Sequence, residues 1–130
     1  MVENVIKNYS DNGFPLDTVY LDIPYMDNYV DFTVDVKNFP NLTKLATDLH
    51  SKNQHLVVII DAGISAEDTT QKYYKQGNDD DVFIKSNITK SAAYGDNLVS
   101  SVWPKKAVFV DWFNANCTNL WGLGLSDLYN

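Results

Sequence analysis

Residues 55–61, His-Leu-Val-Val-Ile-Ile-Asp, form a near-continuous apolar run, and residues 18–23, Thr-Val-Tyr-Leu-Asp-Ile, form a shorter one rich in β-branched and aromatic side chains. The first lacks alternation, which predicts a strand covered on both faces of a parallel sheet. Between them Leu42, Leu45, Ala46 and Leu49 recur at helical spacing and predict an amphipathic helix over 42–52. Pro40 directs the chain into that helix and Asn41 stands at its N-cap. His50 and Lys52 occupy the last turn, where positive groups suit the dipole, and Asn53 can take the left-handed closing position. The three segments make a βαβ unit with the right-handed crossover such units adopt. The fold class is therefore α/β, with an open sheet and a closed barrel both consistent with this pattern.

Elsewhere the periodicity is weaker. Residues 1–13 read as a polar helix or lead-in stopped by Asn12-Gly13. Residues 25–35 mix aromatics with aspartates, as expected of a loop over a pocket mouth or of a solvated loop pinned by its aromatics. Residues 66–76 suit a short helix, residues 77–81 a solvated acidic turn, and residues 81–85 a short strand. Residues 107–111 predict a further strand, after which Asp111 or Asn114 would cap a helix weakened in its latter half by Gly122 and Gly124.

Asp22, Asp61 and Asp111 each close one of the apolar runs. In α/β folds ligands bind at the C-terminal strand ends, which makes Asp22 and Asp61 candidate site residues. Asp111 is expected to cap the helix that follows it.

Composition narrows the partners. The 130 residues suffice for one domain and carry a net charge of -7 with no basic run, so nucleic acid is not an expected partner. No run approaches the length of a membrane span, and residues 1–13 lack the long apolar core of a signal peptide. Asn-x-Ser/Thr triplets at Asn8, Asn41, Asn87 and Asn116 suit a secretory, lysosomal or endoplasmic reticulum route, and also arise by chance in a chain this rich in asparagine. The sole cysteine, Cys117, is expected to be a small core hydrophobe. Glycine-rich dinucleotide and Walker-type phosphate motifs are absent, and neither a cofactor nor a metal is expected.

The segments YLDIPYM at 20–26, DFT at 31–33, FP at 39–40, LH at 49–50, VVIIDAGI at 57–64, VWP at 102–104 and VFVDWFN at 108–114 occur in an order that resembles glycoside hydrolase family 31, the α-glucosidase-like enzymes. The resemblance runs from about Gly13 to Trp121. It implies a fragment of a TIM (β/α)8 barrel, comprising roughly the second and third β/α units and the long loop that follows. It implies retaining hydrolysis of an α-linked glucoside or oligosaccharide by the complete enzyme. No catalytic residue is expected within this chain, because the nucleophile motif and the acid/base would lie beyond Asn130, and the 130 residues alone are expected to be inactive. Asp22 matches the aspartate that binds sugar hydroxyls in the -1 subsite, with Ile23 lining the same pocket. Asp61 and Ile64 match the end of the third strand, and Trp103 the tryptophan near the sugar. The remainder of the barrel, or association through exposed sheet edges, is the expected protein partner.

This chain departs from the pattern at Pro24, where the family has a carboxylate, at Ala62, where it has proline, and at Lys105, where it has glycine. These changes leave an alternative: an inactive open α/β binding or structural module derived from the family.

Overall fold

The computed structural model describes residues 2–88 and 90–130; Thr89, the third residue of the Asn87 triplet, lies outside the described residues. The chain divides into two compact units, one taking residues up to Tyr25 together with Asp35–Ile59, the other Met26–Val34 and Ile60–Asn130.

The first unit holds helix α1 (Val2–Asp11), strand β1 (Thr18–Leu21), helix α2 (Leu42–His50) and strand β2 (His55–Val58). α1 stops where expected: Gly13 takes a left-handed φ of 69° and Phe14 N–H returns to the Tyr9 carbonyl at 2.9 Å. β1 and β2 pair in parallel, with Thr18 opposite His55 and Leu21 opposite Val58. Both are shorter than predicted, since a 3₁₀ turn over Ile23–Tyr25 begins soon after β1. α2 buries Leu45 and Leu49, the stripe its spacing predicts. Asn41 holds the N-cap position without a side-chain hydrogen bond to the helix, and Asn53 closes it with a φ of 57°.

β2 alternates between exposed and half-buried residues, so it is not covered on both faces. Val19, Leu21, Leu56 and Val58 lie on the more buried face, whereas Tyr20 is 74% exposed, Val57 42% and Ile59 37%. The physical reason is that this unit supplies one helical layer against a two-stranded sheet, and one layer covers one face.

The second unit contains strand β3 (Gly63–Ser65), helix α3 (Lys72–Asp79), strands β4 (Val99–Val102) and β5 (Lys105–Phe109), and helix α4 (Cys117–Tyr129). The strands form an antiparallel sheet in the order β3-β5-β4. Its core contains Phe32, Ile64, Tyr73, Tyr74, Phe83, Val108, Val110, Cys117 and Leu120. Residues 81–85 do not form the predicted strand. Phe83 bridges Val110 while Lys85 bridges Asn97, and this change of partner breaks the ladder. Asp111 and Asn114 do not cap α4 either. They accept the N–H groups of Phe113 and Asn116 in the turns ahead of it.

Glycines account for two further differences. Gly77 to Asp79 belong to α3 rather than to an acidic turn, because Gly77 is buried where a Cβ would sit 2.3 Å from the Phe83 ring. α4 runs through both Gly122 and Gly124, and at Gly124 a Cβ would meet the Phe32 ring at 2.5 Å, whereas nothing lies within 4 Å of one at Gly122. Two substitutions in one helix should therefore have opposite signs. Gly122→Ala is expected to raise stability by about 0.5–1 kcal/mol. Gly124→Ala is expected to lower it by about 1–3 kcal/mol through overpacking. Urea unfolding of the 130-residue chain reads both; two shifts of the same sign would refute the packing described.

The β4–β5 hairpin turns through Trp103 and Pro104, and Lys105 adopts a left-handed φ of 69°. A residue with a Cβ pays a steric cost in that region which glycine escapes. Lys105→Gly is thus expected to stabilise the chain by about 0.5 kcal/mol, the relief exceeding the added freedom of the unfolded state. A lower unfolding midpoint would contradict it.

Candidate functional site

Asp22 follows β1 directly, at the C-terminal end of the parallel pair. Its carboxylate is exposed, and Oδ1 accepts the Ile23 N–H at 2.8 Å. Ile23 is half-buried at the start of the 3₁₀ turn, and the Asp22 carbonyl accepts Tyr25 N–H at 3.2 Å. Tyr25 is fully buried and donates its hydroxyl to the Ile59 carbonyl at 2.8 Å. The loop after β1 is thereby tied to the end of β2, and Asp22 is presented from a braced segment.

The second unit holds the other sequence-predicted residues. Asp61 is half-buried. Ile64 is 1% exposed in β3, opposite Val108 within the core. Trp103 is 63% exposed at the tip of the β4–β5 hairpin, so it does not serve as a packing anchor within this unit.

Asp31 belongs beside them, and sequence reasoning did not single it out. It is 2% exposed and its Oδ1 accepts the Asp61 backbone N–H at 2.9 Å. Its Oδ2 is buried without a hydrogen-bond partner. Burial pushes the Asp31 carboxyl up from 3.8 to about 7; the Asp61 N–H opposes that shift and the Asp61 charge adds to it. The next residue, Phe32, has a left-handed φ of 63° and sends its ring into the core against Tyr73 and Trp121. The DFT motif at 31–33 was the available signal, but a loop aspartate gives no sign of burial until its long-range partner is known.

Among the described residues, no group of three His, Cys, Asp or Glu side chains is placed to hold a metal ion, and no helix is long and apolar enough to cross a membrane. A cleft of about 270 Å³ between α1 and α2 is lined by residues such as Ile6, Lys7, Ser10, Leu45 and Asp48, and by none of the predicted sugar-binding residues.

Comparison with known proteins yields a consistent picture. The sequence profile of the glycosyl hydrolases family 31 TIM-barrel domain matches residues 1–130. An alpha-glucosidase of Mucor javanicus is 39% identical over 128 residues, which cover 97% of this chain and 14% of the relative. Glucoamylase 1 of Candida albicans is 35% identical over 136 residues, covering 98% of this chain and 14% of that protein. This chain thus spans a small part of the curated relatives it matches. Among solved structures, a family 31 alpha-glucosidase from Bacteroides thetaiotaomicron superposes with a TM-score of 0.70 at 30% identity, over 90% of this chain and 19% of its own. The endoplasmic reticulum glucosidase II complex gives a TM-score of 0.81 at 24% identity, over 92% of this chain and 12% of that one, a likeness of fold.

The Asp31 geometry predicts a particular pH dependence. The folded chain retains a proton on Asp31 that the unfolded chain releases above about 3.8, so this group favours folding at low pH. That contribution declines as pH rises from about 4 to about 7 and is flat above. Asp35, Asp68 and Asp127, whose carboxyls are held low chiefly by Asn38, Thr70 and Lys72, act in the opposite sense at pH below that window. Asp31→Asn, which mimics the neutral acid, should therefore raise the melting temperature relative to the parent at pH 8 more than at pH 4.5. A difference that is constant across pH would refute the buried-acid assignment.

Proposed function

The chain belongs to glycosyl hydrolase family 31, and on that premise we propose that it forms part of the catalytic (β/α)8 barrel of a retaining α-glucosidase-like enzyme. In this reading β1, α2 and β2 belong to the second and third β/α units, and residues 62–130 are the excursion that follows the third strand. Asp22 and Ile23 contribute to the -1 subsite, joined by Asp61 and Trp103, whereas Ile64 lies in the core and does not reach the sugar. Nucleophile and acid/base come from segments beyond this chain.

One observation carries the proposal: Asp22 stands exposed at the C-terminal end of a parallel strand, braced by the Tyr25 tie. Barrel enzymes place their chemistry at that end. A carboxylate there accepts two sugar hydroxyls at once, and exposed aromatic or aliphatic side chains cover the C–H face of the ring. The apolar face of Tyr20, Val57 and Ile59 adds support, since the packed interior of a closed barrel would cover it. The substrate is an α-linked glucoside or oligosaccharide.

The test is a chimera in which residues 1–130 replace the matching segment of the Mucor javanicus alpha-glucosidase. The chimera is expected to hydrolyse a chromogenic α-glucoside, and the isolated chain to show no turnover. Asp22→Asn should lower kcat/KM about 100-fold, on the order of 2.7 kcal/mol, while moving the melting temperature by no more than about 2 °C. Trp103→Ala should impair kcat/KM by about tenfold with a similarly small thermal effect, the loss of one exposed stacking face. An active chimera indifferent to Asp22→Asn would refute the subsite assignment. A folded but inactive chimera would favour an inactive module, the reading to which Pro24 and Lys105 point.

A further inference from the structure

The deepest buried carboxyl described in the second unit is Asp31, and its contacts give it a task. It is 2% exposed, it accepts the Asp61 N–H at 2.9 Å through Oδ1, and its Oδ2 is enclosed without a hydrogen-bond partner. A buried polar group that makes one bond of several is retained against a cost of desolvation. That cost falls at the peptide where the chain leaves β2 for β3. The residues on either side of Asp31 are also fixed. Thr33 Oγ1 donates to the Val30 carbonyl at 2.6 Å and accepts the Asp27 N–H at 3.0 Å. Phe32 is wedged in the core with a left-handed backbone. Residues in sparsely populated backbone regions persist where surroundings over-determine them, and they cluster at functional sites. The Asp31 carboxyl is thus held among packed neighbours and bonded to the peptide between β2 and β3.

We propose that Asp31 is a positioning residue for Asp61: by anchoring the Asp61 backbone N–H it sets where the Asp61 carboxyl is presented in the connection between β2 and β3. The inference rests on the reading of Asp61 as a sugar-binding residue. Asp31 itself touches no substrate. Because the anchor needs an acceptor at Oδ1 and tolerates a neutral group at Oδ2, asparagine should replace aspartate in this role and alanine should not.

Hydrogen exchange at the Asp61 amide in the 130-residue chain reads the anchor directly. The parent and Asp31→Asn should exchange slowly and within about threefold of each other, with Asp31→Ala at least tenfold faster and α3 and α4 unchanged. Fast exchange in the parent, no acceleration in Asp31→Ala, equal acceleration in both variants, or acceleration spread through α3 and α4 would each overturn the proposal. In the chimera, Asp31→Ala should lower kcat/KM about tenfold and Asp31→Asn should restore it. Parent kinetics in an active Asp31→Ala chimera would also overturn it. An inactive parent chimera would count against the proposed enzymatic function, leaving the exchange measurement to decide the anchor.

Discussion

Phe32 is the wedge on which the second unit depends. Its ring stands 5.1 Å from Tyr73 and 5.0 Å from Trp121, centroid to centroid, and edge-on to both. It abuts the backbone of α4 at Gly124, a seat that any Cβ would occupy. A large aromatic with a φ of 63° is a steric outlier, tolerated because burial of the ring outweighs the local strain. Tyr73 connects the same region to α4: its hydroxyl donates to Asp127 Oδ2 at 3.0 Å, with the Phe32 carbonyl at 3.3 Å. Burial, followed by the bond to Asp127, pushes that phenol up to about 12, so it remains a donor through the physiological range. Lys72 pairs with the same carboxylate and joins the start of α3 to α4.

What this wedge accomplishes is to pack residues 31–33, a loop by sequence, into the core of the second unit. Loops carry binding residues well when a rigid scaffold supports them. The Asp31 bond to Asp61 is the point at which that packed loop touches a predicted sugar-binding residue. The first unit reaches a similar end by other means. There Tyr25, wholly buried, bridges the loop after β1 to the end of β2 through a single hydroxyl. In both units an aromatic residue from the loop following β1 supplies the bracing, and the aspartate stands near it.

The exposed face of the parallel pair has a different meaning from an exposed side chain elsewhere. Tyr20 and Val57 are cross-strand partners, so the alternation of the sheet puts them side by side. Together with Ile59 they form an apolar surface that soluble domains ordinarily cover. Under the proposed function, the packed interior of a barrel is what would cover it.

The sequence by itself determined the βαβ element, the stop at Asn12-Gly13, the Asn53 helix closure, the buried stripe of α2 and the strand-end position of Asp22. All of these follow from local periodicity or from the backbone preferences of single residues, which act over a few positions. The ordered motifs, by resemblance, also located the family. Only the tertiary structure decided that one face of β2 is bare, since coverage depends on how many layers are present rather than on the strand. The antiparallel sheet was hidden because β3 has 3 residues and β4 has 4, too few for a period of two to show. Gly77 and Gly124 look like helix breakers in sequence and prove to be seats for Phe83 and Phe32 in space. Asp31 was illegible for the same reason: its burial and its bond to Asp61 arise from residues 30 positions apart, and nothing near Asp31 in sequence encodes that meeting.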